Sequence, residues 1–155
     1  EVREAVLKIN FYYEKGDGGE FTPTVHNVSM RDVSCKRSRY GLLLTGLDRA
    51  PIRNVTVERC AFDDVDEPLA VVGVEGLTLR DVRIEGETFN LETDVKLPPA
   101  VKKALAGNVT DPCIIRRLAV QGGLPPTSYE FRVEDADGMR RIRIASGGEV
   151  ESIRR

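Results

Sequence analysis

The sequence predicts an all-β right-handed parallel β-helix of about three to four coils, truncated at its N-terminal end, followed by a small α+β unit of one helix and about four antiparallel strands. Three observations lead there. First, residues 27–35, 54–62 and 76–84 can be laid over one another residue for residue, starting 27 and then 22 residues apart, with apolar side chains at the second, fourth, seventh and ninth places. Second, glycine-ended apolar runs, Tyr40-Gly41-Leu42-Leu43-Leu44-Thr45-Gly46 and Leu69-Ala70-Val71-Val72-Gly73, occupy matching places before the second and third copies. Third, the pattern stops after Ile84, and a helix signal and then cleanly alternating strands follow.

Within each copy the second and fourth places alternate as a strand does, one face inward and one outward. The step to the seventh place calls for a bend. Copies stacked in parallel would build four inward rows: Val28, Val55 and Leu77; Met30, Val57 and Leu79; Val33, Cys60 and Val82; Cys35, Phe62 and Ile84. A repeat of this length without helical apolar spacing suits a solenoid of strands, in which each turn depends on its neighbours. The intervening apolar runs lack alternation, as parallel strands covered on both faces do. Pro23, Pro51 and Pro68 are expected in the connecting loops, where a missing N–H costs no ladder hydrogen bond.

Upstream, Ala5-Val6-Leu7-Lys8-Ile9-Asn10-Phe11-Tyr12-Tyr13 is a strand-rich run ended by a glycine-rich loop. Leu7 and Ile9 fall 21 residues before Val28 and Met30, close to the repeat period, so this run reads as one more coil with its upper neighbour missing. An end of that kind exposes unpaired strand edges and an apolar cross-section, and a protein partner or an oligomer is expected to cover it. Downstream, the polar stretch after Ile84 reads as the end of the first unit, giving a β-helix over 1–88, a linker over 89–95 and the α+β unit over 96–155. In that unit Leu97-Pro98-Pro99 opens a short helix ending by Gly107, with Val101, Leu105 and Leu97 inward. Strands follow from Ile114 to Val120, over 129–133, over 141–144 and through Val150 and Ile153, with a hairpin turn at Asp135-Ala136-Asp137-Gly138.

With 23 basic and 25 acidic residues in 155, the chain has no basic excess that would argue for nucleic acid. No apolar run approaches the length of a membrane span, and none reads as a signal peptide. Three cysteines cannot all pair, and Cys35 and Cys60 stand at inward places, which reads as buried thiols. No histidine or cysteine cluster suggests a metal, no glycine loop suggests a nucleotide, and no cofactor is expected.

The run Ala5-Val6-Leu7-Lys8-Ile9-Asn10-Phe11-Tyr12-Tyr13-Glu14, Gly16, then Pro23, Asn27-Val28, Ser38-Arg39-Tyr40-Gly41-Leu42-Leu43-Leu44, Gly46 and Ile52-Arg53-Asn54-Val55 resembles the C-terminal coils of bacterial glycoside hydrolase family 28, the polygalacturonase-like enzymes. The resemblance covers about residues 1–88 and implies inverting hydrolysis of pectin or related uronate polysaccharides, in a secreted or periplasmic protein. Inversion takes one carboxylic acid and one carboxylate about 6.5–9.5 Å apart. The family's Asn-x-Asp, Asp-Asp, Gly-His-Gly and Arg-Ile-Lys motifs have no counterpart here, so the chain contributes no catalytic residue and is expected to be inactive alone. Asp63-Asp64 and His26 lack the flanking residues of those motifs and read as a solvated loop and a strand-edge histidine. Tyr13-Glu14-Lys15-Gly16 matches the family's tyrosine on the leaving-group side, which makes Tyr13 the candidate sugar contact, with Tyr12 and Lys8 beside it. An aromatic ring can cover a sugar face, and a lysine can meet a uronate carboxylate. The alternative is a non-catalytic carbohydrate- or protein-binding module. Residues 95–155 resemble, more weakly, the PepSY-like domains linked to binding or inhibition.

Overall fold

The computed structural model describes residues 2–11, 22–108, 115–121, 128–135 and 138–153. Its elements are mostly strands. The first seven are β1 (Ala5–Asn10), β2 (His26–Arg31), β3 (Ser34–Cys35), β4 (Ser38–Thr45), β5 (Ile52–Phe62), β6 (Val65–Val72) and β7 (Val74–Ile84). They are followed by β8 (Glu87–Val95), α1 (Pro99–Asn108), β9 (Ile115–Gln121), β10 (Ser128–Asp135), β11 (Gly138–Ala145) and β12 (Val150–Ile153).

The repeat sets the register of the central strands. Val28 pairs with Val55 and Met30 with Val57 across the parallel β2–β5 ladder, while Val55 pairs with Leu77, Val57 with Leu79, Cys60 with Val82 and Phe62 with Ile84 across the parallel β5–β7 ladder. The apolar places of β5 and β7 are fully buried, and those of β2 are half-buried. Each copy bends at its first and sixth places, where the backbone enters the left-handed region: Asn27, Asn54 and Gly76 at φ 57°, 56° and 77°, and Asp32, Arg59 and Asp81 at φ 55°, 49° and 52°. The second bend resets the alternation, so the seventh place points inward again. Pairing persists across it, the Asp32 N–H donating to the Glu58 carbonyl and the Ala61 N–H to that of Val33.

Between copies the chain crosses to a second sheet, where β4 lies between β1 and β6 with both ladders parallel. Leu42 and Leu44 face the core shared with β5 and β7, whereas Tyr40, Leu43, Ala5 and Ala70 pack on the opposite face. That two-sided burial explains the unbroken apolar run. After Thr45 and Val72 the two chains approach so closely at Gly46 and Gly73 that a Cβ on Gly73 would lie 2.6 Å from the Gly46 carbonyl oxygen.

The expected right-handed parallel β-helix is corrected by this topology. The strands form a three-stranded parallel sheet, β1-β4-β6, and a mixed five-stranded sheet, β2-β5-β7-β8 with β3 beside β5, neither of them closed and not a solenoid. The parallel stacking ends because β8 turns back antiparallel along β7, pairing Leu79 with Leu91 and Val82 with Phe89. The segment expected as a linker over 89–95 is therefore strand. Phe89, Leu91, Thr93 and Val95 alternate inward against outward-facing neighbours, a period the polar composition concealed. Pro68 also differs from expectation. It lies inside β6 rather than in a loop, and β6 is the edge strand of its sheet, where a residue without an N–H fits.

The last part consists of α1 and the antiparallel sheet β12-β11-β10-β9. Pro99 opens the helix at a position where its missing N–H has no helical partner, and the Lys102 N–H donates to the Pro98 carbonyl. Tyr129, Phe131, Ile142 and Ile144 alternate inward and meet Val101 and Leu105 of the helix, with Leu97 half-buried alongside. Val72 of β6 belongs to the same cluster, and Lys102 forms an ion pair with Asp48 at 2.9 Å, so this layer packs on the three-stranded sheet. Asp135 pairs with Gly138 across the hairpin, and residues 136 and 137 between them lie outside the described residues.

Candidate functional site

β1 and β2 are the outermost strands at the same end of the three-stranded and the mixed sheet, and among the described residues nothing pairs with the outer edge of either. Their inward side chains, Leu7, Ile9, Val28 and Met30, remain half-buried where the equivalent side chains of β4 and β5 are fully buried. At the opposite end the mixed sheet ends on antiparallel β8, and β6 packs on the α1/β9–β12 layer. Among the described residues, the β1/β2 end thus combines strand edges that have no ladder partner with partly buried apolar side chains.

Lys8 lies on β1 at this end, exposed. Its ammonium is 2.7 Å from the Glu4 carboxylate, so a uronate reaching it must share or displace that partner. Tyr12 and Tyr13, the other two candidate contacts, lie outside the described residues. His26 begins β2 and is exposed, opposite Arg53 in the ladder.

The outer face of the mixed sheet carries rows of alternating charge. Arg31, Glu58 and Arg80 share one row, with Glu58 3.3 Å from Arg31 and 3.0 Å from Arg80. Asp32, Arg59 and Asp81 form the next row, and Arg59 grips Asp32 through two hydrogen bonds of 2.7 and 3.2 Å. That hydrogen-bonded guanidinium holds the Asp32 carboxyl below its usual range and raises Arg59 in turn. In a third row Glu75 accepts from Lys96 at 2.8 Å and Arg53 at 3.1 Å, and those bonds lower its pKa, Lys96 first. Asn54 donates its side-chain amide to Asn27 at 3.0 Å along the first bend. The Asp32 and Glu75 carboxyls, held in their charged form in this way, are poor proton donors and suit cross-strand pairing rather than acid catalysis. The sequence reading followed the apolar places and missed these rows, although the charged fifth and sixth places of the three copies were legible in the same superposition.

Asp63 and Asp64 form the turn from β5 to β6. The Asp63 N–H donates to the Cys35 carbonyl, the Asp64 carbonyl accepts from the Ser38 N–H, and the Asp64 carboxylate stands 3.8 Å from Arg37. They act as turn residues. Cys35 and Cys60 are buried free thiols, each directed at a nearby backbone carbonyl, and Cys113 lies outside the described residues. Among the described residues no group of three or more His, Cys, Asp or Glu side chains is placed to hold a metal ion, and no helix is long and apolar enough to cross a membrane. No family model, no curated protein and no solved structure matches this chain.

Proposed function

We propose that this chain is a C-terminal, non-catalytic portion of a polygalacturonase-like glycoside hydrolase acting on pectin or related uronate polysaccharides, in a secreted or periplasmic protein. The catalytic aspartates belong to another portion, which packs on the end formed by β1 and β2. The observation that supports this reading is the pair of edges, β1 and β2, that have no ladder partner among the described residues, at the end where Lys8 stands in a run that resembles those enzymes. Lys8 and Tyr13, with Tyr12, would meet the sugar on the leaving-group side. A second reading, a non-catalytic carbohydrate- or protein-binding module, draws support from the Lys8–Glu4 ion pair, which already neutralises the one lysine in that run, and from the weaker PepSY-like resemblance of 95–155.

The test is calorimetry of the chain with oligogalacturonates, alongside a reducing-sugar assay on polygalacturonate. The hydrolase reading expects no hydrolysis and weak binding that is lost in Tyr13→Ala. Hydrolysis abolished by changing an acid of this chain would refute the non-catalytic assignment, and absence of any sugar binding would leave the protein-binding module.

A further inference from the structure

The fifth and sixth places of the repeat carry opposite charges side by side, and their order inverts from strand to strand: Arg31-Asp32, then Glu58-Arg59, then Arg80-Asp81. Parallel register sets Arg31 beside Glu58 and Glu58 beside Arg80, so each inversion turns a row of like charges into a row of pairs. The Glu58 side chain is only 12% exposed beneath three guanidinium groups, those of Arg31, Arg80 and, at 3.5 Å, Arg59. At the β7 end the row is closed, since β8 runs antiparallel and the Asn90 side-chain oxygen accepts from the Asp81 N–H at 2.8 Å. At the β2 end it stops on Arg31 and Asp32, beside half-buried Val28, Met30 and Val33.

We infer that the outer edge of β2, which pairs with nothing among the described residues, is a docking surface for one parallel β-strand of a partner polypeptide segment, bearing an acid opposite Arg31 and a base opposite Asp32, with apolar residues covering Val28 and Met30. This rests on the reading that another portion of the hydrolase packs on this end, and it specifies the chemistry of the strand that does so. A parallel strand with the reverse order would set like charges directly opposite one another, which destabilises a sheet. A parallel copy of β2 itself has that fault.

The probe is a fluorescent synthetic peptide with the sequence of residues 51–63, carrying Cys60→Ser, which bears the acid-then-base pair of β5. It is titrated into the full chain and compared with the same peptide carrying Glu58→Arg and Arg59→Glu. The expected result is saturable binding at least tenfold tighter for the first peptide, with the difference collapsing in 1 M salt, where screening extends only about 3 Å. The chain variant Arg31→Glu/Asp32→Arg, checked for an unchanged circular dichroism spectrum, should reverse the preference. Equal affinities, no binding at millimolar peptide, or sedimentation showing that a second copy of the chain occupies the edge would each overturn the inference. A chain that selects the peptide but binds no oligogalacturonate loses the hydrolase reading while keeping the docking edge. One that binds the sugar and ignores the peptide does the opposite.

Discussion

Val57 and Thr56 are adjacent on β5, and their contrast tests the register on which the molecule is built. Val57 is fully buried between Met30 and Leu79, while Thr56 faces outward in a row with Ser29 and Thr78. Val57→Ala removes two methyl carbons, about 1.6 kcal/mol of lost transfer free energy at roughly 0.8 kcal/mol per buried carbon. The β5 backbone is held by ladders on both sides and cannot collapse into the space, so a residual cavity adds about 1 kcal/mol, for a total of about 2–3 kcal/mol. In a chain of 155 residues, at about 2–4 °C per kcal/mol, the melting temperature should fall by roughly 5–10 °C. Thr56→Ala should stay within about 0.5 kcal/mol. Urea and thermal unfolding followed by circular dichroism read both. Equal losses, or a larger loss for Thr56→Ala, would mean that β5 is displaced by one residue and that the rows do not exist.

Gly73→Ala should cost more than Val57→Ala. Its Cβ would press on the Gly46 carbonyl at 2.6 Å from a backbone at φ +69°, and strain of about 1–3 kcal/mol adds to overpacking of similar size; unfolding in urea measures it. Asp32 should titrate below the ordinary 3.8 in carbon-detected NMR and return towards it in Arg59→Ala, since the guanidinium hydrogen bond is the largest cause of the shift. Because the folded pKa is the depressed one, the pair's contribution to stability is present above the unfolded value and fades as pH falls through the folded value, so Arg59→Ala should narrow its gap to the parent in acid. Phe131→Ala should destabilise the α1/β9–β12 layer by about 3–5 kcal/mol and expose it to limited proteolysis, since the ring is 1% exposed at the centre of that cluster. Cleavage confined to 22–95 would contradict that placement.

Of the candidate site, the sequence alone located Lys8 on a strand, but not its Glu4 partner, because reach between two side chains depends on how the strand is set in space. The charge rows were present in the aligned copies as sign inversions. They gain meaning only once parallel register places Arg31, Glu58 and Arg80 side by side, since an isolated acid or base reads as solvated surface.

The sequence by itself determined the inward rows of β5 and β7, the bend before the seventh place of each copy, the two-sided burial of β4 and the inward face of α1, because these follow from local periodicity. Tertiary structure alone decided that β8 returns antiparallel along β7, that Pro68 fits an edge strand, and that the two sheets remain open instead of forming the expected β-helix. Strand direction and choice of neighbour depend on which edge is free when the segment arrives, and period-two alternation reads the same in either direction.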